Sequence, residues 1–134
     1  MTYFSEIVHL SDIARVHGDR CPDKKAFVFE DRVVTYKEFD INSEKVANGL
    51  VLENVAEQDR VAYMDKNSDR FYELVMGCAK SNSVIVGINW RLAPPEVAYI
   101  LNDSSAKILF VGEDFFGLVE KILKDVPSIE KVIC

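Results

Sequence analysis

The sequence predicts an α/β fold: a mainly parallel, doubly wound sheet flanked by helices, with a small hairpin at its edge. Two observations carry this. Short apolar runs alternate with segments of helical periodicity along the chain. Most of those runs are continuous rather than alternating, the pattern of parallel strands covered on both faces. The runs are Ala26 to Phe29, Val61 to Met64, Val84 to Ile88, Ile108 to Val111 and Lys131 to Ile133. Asp31 and Arg32, followed by Val33 and Val34, turn the first run into an antiparallel hairpin. Right-handed crossovers connect the others.

The helices follow in order. Ser11 precedes a helix through Ile13 and Ala14 that is expected to stop near Gly18. Thr35 and Glu38 form a capping-box signature for a second, with Phe39, Val46, Ala47 and Leu50 inward and Gly49 a weak point. Phe71, Leu74, Val75, Cys78 and Ala79 share one face of a third, and burying such a stripe contributes about 7–15 kcal/mol before entropy. Pro94 and Pro95 fit only the first turn of a fourth, which turns Val97, Ile100 and Leu101 inward. Phe115, Leu118, Val119, Ile122 and Leu123 repeat the stripe in a fifth, with Lys121 and Lys124 suited to its C-terminal end.

Composition excludes several classes. With 134 residues, 49% hydrophobic and 28% charged, the chain has the balance of one ordered domain. Sixteen basic against twenty-two acidic residues give a net charge of −6, which disfavours nucleic acid. The apolar runs are strand-sized and residues 1 to 8 have no basic stretch leading an apolar one, so neither a membrane span nor a signal peptide is expected. Cys21, Cys78 and Cys134 are isolated and odd in number, which fits the reducing cytoplasm and offers no metal spacing. Cys78 reads as a small buried hydrophobe. There is no GxGxxG or GxxxxGK[ST] loop, and Lys66-Asn67-Ser68-Asp69 makes a poor phosphate turn, which argues against a free-standing flavodoxin-like domain. His9 and His17 have no neighbouring nucleophile and suit a surface or helix end.

Four segments in order carry a resemblance: Val34-Thr35-Tyr36-Lys37-Glu38-Phe39; Asp59-Arg60-Val61-Ala62 with Asn67-Ser68; Gly77-Cys78-Ala79-Lys80; and Asn89-Trp90-Arg91-Leu92-Ala93-Pro94-Pro95-Glu96 continuing to Tyr99-Ile100-Leu101-Asn102-Asp103-Ser104. Together they resemble the start of an AMP-forming acyl-CoA synthetase, a fatty-acid CoA ligase of the adenylate-forming superfamily. The resemblance implies that residues 1–134 are the N-terminal portion of that enzyme's large domain, ending before the phosphate-binding loop, as the strand-like Val132-Ile133-Cys134 with nothing after it suggests. It departs from the family at Ser81-Asn82-Ser83, where Ala-Gly-Ala is usual, and at Gly87, where proline is common. Asn82 can still close its helix in the left-handed conformation.

The resemblance implies a parent that joins a carboxylic acid to ATP as an acyl-adenylate, assisted by magnesium, and then passes the acyl group to coenzyme A. No catalytic, metal or nucleotide residue of that machinery falls within the chain, so the chain alone is expected to be inactive and to bind no cofactor. Only Asn89 and Arg91 match a region that nears coenzyme A in relatives. The plainer reading is that they tie their loop to nearby backbone and carboxylates, while Trp90 packs. Expected partners are the remainder of the parent and, as in some long-chain members, a second copy. An oligomerisation or interaction module is the competing function, since cut helix faces and a strand edge seek cover.

Overall fold

The computed structural model describes residues 5–134. The chain divides into two compact units, residues 1–54 with 68–82 and residues 55–67 with 83–134.

The first unit contains α1 (Asp12–Arg20), β1 (Lys25–Phe29), β2 (Arg32–Thr35), α2 (Tyr36–Leu52) and α3 (Asp69–Lys80). β1 and β2 form the expected hairpin, with Val28 opposite Val33 and Phe29 opposite Arg32, but as a two-stranded sheet of its own rather than an edge of the parallel sheet. Its turn is held by Glu30 at φ 50°. The capping box forms as read: Thr35 Oγ1 accepts from Glu38 N–H at 3.2 Å, and the Glu38 carboxylate accepts from Thr35 N–H at 2.8 Å. Ala14, Val34, Phe39 and Met76 make the core of this unit, with Phe27 edge-on to Phe39 and stacked on Tyr72.

Three further expectations need correction here. α1 does not stop at Gly18 but runs to Arg20, because Gly18 serves close packing: a Cβ there would lie 3.2 Å from Asp40 Cβ and 3.3 Å from Tyr36 O. Ser11 gives α1 no side-chain cap; the Asp12 carboxylate instead accepts from Val8 and His9 N–H at 3.1 and 2.9 Å. The buried arc of α3 is also wider than its apolar stripe, since Asp69 and Glu73 are buried with Leu74, Met76, Gly77 and Cys78, whereas Phe71, Val75 and Ala79 are half-buried. Both carboxylates can be buried because each is paired. α3 closes as expected, with Asn82 left-handed at φ 55°.

The second unit contains β3 (Arg60–Met64), β4 (Val84–Gly87), α4 (Pro94–Ser104), β5 (Ile108–Val111), α5 (Phe116–Ile122) and β6 (Lys131–Ile133). All pairings are parallel and the strand order is β4-β3-β5-β6. Ala62 and Met64 of β3 and Leu109 and Val111 of β5 point to one face, where they pack with Val97 and Leu101 of α4 and Val119 and Ile122 of α5. Val61 and Ile108, on the opposite face, are buried as well, which accounts for the unbroken apolar runs. The outer strands β4 and β6 are only partly buried. Pro94 opens α4, and Glu96 reaches back to Ala93 N–H at 2.8 Å.

The fifth expected helix is shortened. Single turns of 3-10 helix, Glu113–Phe115 and Leu123–Asp125, flank a seven-residue α5, and Leu123 is exposed rather than inward. Phe115 packs with Trp90 while Val119 and Ile122 face the sheet, so the two halves of the stripe answer to different neighbours.

Candidate functional site

In open parallel sheets ligands settle at the carboxyl ends of the strands, where the winding reverses. The chain here steps from β3 out to β4 and then returns past β3 to β5. The reversal therefore lies between β3 and β5, and the loops leaving these strands and β4 carry Asp65 and Lys66, Asn89 to Arg91, and Gly112 to Phe115.

Those loops bring cations onto aromatic rings. The Arg91 guanidinium carbon lies 3.8 Å from the centroid of Trp90, and the Phe115 ring is 5.6 Å from it. Lys66 Nζ stands 5.9 Å from both ring centroids and pairs with the Asp114 carboxylate at 3.0 Å. Asp65 Oδ1 accepts from Lys66 N–H at 2.7 Å, and the Tyr63 hydroxyl donates to Lys66 O at 2.9 Å. Gly112 leaves room beside them, since a Cβ there would meet the Asp65 carboxylate and oblige it to shift. Asn89 turns its side-chain oxygen on its own loop, accepting from Arg91 N–H at 3.0 Å, while its carbonyl accepts from Leu92 N–H at 3.1 Å. Trp90 and Phe115 are half-buried against the core of this unit.

The structure thus gathers Trp90 and Arg91 with Lys66, Asp114 and Phe115, whereas Asn89 shapes the loop. The last three were missed in sequence. Phe115 reads there as part of a helix stripe, and Lys66 appears there only in the poor phosphate turn Lys66-Asn67-Ser68-Asp69, two residues past the end of a buried parallel strand. His9 is exposed, and His17 lies in α1 against Tyr36, 5.0 Å between ring centroids.

A second concavity, an open cleft of about 500 Å³ in the first unit, is lined by Arg32, Asn42, Asp69, Arg70 and Glu73 among others. Its buried carboxylates are already satisfied. Asp69 takes a two-pronged bond from Arg32, and Glu73 accepts from Asn42 Nδ2 at 2.7 Å and from Arg70 at 3.0 Å. The Arg32 guanidinium holds the Asp69 carboxyl below the usual carboxylate range. This set braces the hairpin to α3. Among the described residues, no three His, Cys, Asp or Glu converge as metal ligands. No helix among them is long and apolar enough to cross a membrane.

A parallel α/β sheet with cations and aromatic rings at its carboxyl edge has the architecture in which ligands settle at a switch point. The model of the AMP-binding enzymes matches residues 14–134, and the chain belongs to that family. It is 42% identical over 106 residues to a fatty acid–[acyl-carrier-protein] ligase of Streptomyces coeruleorubidus, covering 79% of this chain and 20% of that protein. It is 37% identical over 89 residues to the long-chain-fatty-acid–CoA ligase FadD13 of Mycobacterium tuberculosis, covering 66% and 18%. The chain spans about a fifth of the length of these curated relatives. Among solved structures, a fatty acyl CoA synthetase of Mycobacterium tuberculosis superposes with a TM-score of 0.89 at 32% identity, covering 93% of this chain and 26% of that one. The N-terminal domain of FACL13 from the same organism gives 0.90 at 30% identity, covering 93% and 33%.

Proposed function

We propose that this chain is the scaffold portion of an acid–thiol ligase that activates a fatty acid with ATP to an acyl-adenylate and transfers the acyl group to coenzyme A, and that the chain alone is inactive. The observation that carries the proposal is the family match over 14–134 combined with coverage of about a fifth of ligases whose names specify fatty acids. In this reading the chain contributes one rim of the coenzyme A site. Arg91, over the ring of Trp90, supplies positive charge for phosphate, and Asn89 holds the loop that presents it. A planar indole beside a guanidinium suits an adenine nucleotide, whose base stacks and whose phosphates pair. In the same reading ATP activation draws on groups outside this chain.

The test uses the chain in two settings. Residues 1–134 with ATP, magnesium, coenzyme A and a long-chain fatty acid are expected to release pyrophosphate only at background; release above it overturns the inactivity. A chimera in which residues 1–134 replace the matching segment of a fatty-acid CoA ligase is expected to release AMP in an acid-dependent way. A folded but silent chimera sinks the assignment. A carrier-protein thiol is the second reading for the acceptor, favoured by the 42% identity to an acyl-carrier-protein ligase. Supplying the chimera with a carrier protein in place of coenzyme A separates the two.

A further inference from the structure

Lys66 has no role in the reading above, and its surroundings are those of a poised ligand contact. Its backbone is held on both sides, by the Asp65 carboxylate at its N–H and by the Tyr63 hydroxyl at its carbonyl. Its side chain is 59% exposed, and so is the carboxylate it meets, at 72% on Asp114. An ion pair this open contributes little to folding and is readily exchanged. The ammonium stands near Trp90 and Phe115, and Arg91, the other cation on Trp90, has no carboxylate partner among the described residues. A fixed backbone limits the ordering lost on capture of an anion.

We propose that Lys66 is a second phosphate-binding cation of this edge, occupied by Asp114 until an adenine nucleotide arrives, whose phosphate displaces the Asp114 carboxylate while its base lies against the Trp90 and Phe115 rings. The inference rests on the coenzyme A rim proposed above and adds to it the specificity-determining Lys66 and its competitor Asp114.

Trp90 is the single tryptophan of the sequence, so its fluorescence reports on this site directly. Titration of residues 1–134 with ADP is expected to quench it saturably, less so as salt is raised. Lys66→Met is expected to weaken ADP by about five- to tenfold, the scale of one charge-assisted bond at an exposed site, and Lys66→Arg to stay within about twofold. Asp114→Asn removes the competitor and is expected to tighten ADP by about two- to fivefold. Adenosine, without phosphate, is expected to be indifferent to all three. If Lys66→Met and Asp114→Asn both match the wild type while Arg91→Met weakens ADP, the Lys66 inference fails and the rim stands. Weaker binding by Asp114→Asn also overturns it, since Asp114 then supports the site rather than competing. If ADP leaves Trp90 of the wild type unchanged, rim and inference fall together.

Discussion

Gly77 faces α2 so closely that a Cβ would overlap Cγ1 and Cβ of Val46 and approach Ala47 N to 3.3 Å. Replacing it with alanine gains about 1 kcal/mol of helix propensity and loses about 1–3 kcal/mol to overpacking. Because the obstruction includes a Cβ and backbone, which cannot swing aside, the upper part of that cost applies. Gly77→Ala is therefore expected to destabilise by about 1–2 kcal/mol in urea unfolding, with partial recovery when Val46→Ala is added. Full stability in the single variant would show that α2 and α3 separate freely. Asp69 invites a different measurement, since its loss frees Arg32 on the hairpin. Asp69→Asn is expected to speed amide exchange in β1 and β2 more than in β5. Uniform acceleration would mean that the pair does not brace the hairpin.

The starts of α1, α2 and α4 are anchored differently, and the differences are testable by element. α2 has both halves of its capping box, α4 has Pro94 with Glu96 reaching back to Ala93, and α1 relies on the Asp12 carboxylate. Thr35→Ala removes the acceptor for Glu38 N–H and is expected to cost about 1 kcal/mol, read from the urea midpoint at unchanged slope. Thr35→Ser, which keeps the oxygen, should recover most of it. An equal loss in both variants would place the effect in the methyl packing instead. At the other end of α3, Lys80 bonds to Asp40 O at 3.1 Å, Asp40 Oδ1 at 2.7 Å and Glu44 at 3.2 Å, fastening α3 to α2 near its terminus.

Acid response belongs to the whole molecule because depressed carboxyls lie in both units. Arg15, with the His9 and Val8 amides, lowers Asp12 from 3.8 to about 2. Asp59 is lowered by Lys107, Asp69 by Arg32 and Glu38 by the Thr35 amide and hydroxyl. Above the unfolded values all are ionised in both states and their contribution is fully present. As pH falls below about 4 the unfolded chain takes up protons first, so stability declines, for Asp12 until its folded value of about 2 is passed. Thermal midpoints are expected to be flat from about pH 6 to about pH 4.5 and to fall below that. Asp12→Asn should flatten part of the fall, and an unchanged slope would remove Asp12 from this account.

By itself the sequence determined what is written within a few residues of chain. The Thr35–Glu38 box, Pro94 at the head of α4, left-handed Asn82 and the apolar runs of β3 and β5 are all local, set by backbone conformation and by the periodicity that one buried face demands. The same locality made the family resemblance legible, because its motifs are short and ordered. Tertiary structure decided which distant residues meet. Gly18 became a packing residue only because Asp40 and Tyr36 come against it, and the fifth helix shortened where Phe115 joined Trp90. Lys66 found Asp114 forty-eight residues away among many carboxylates, a choice made by the sheet that sets β3 beside β5. Such pairings carry no local signature, since either partner would look the same in sequence beside any other.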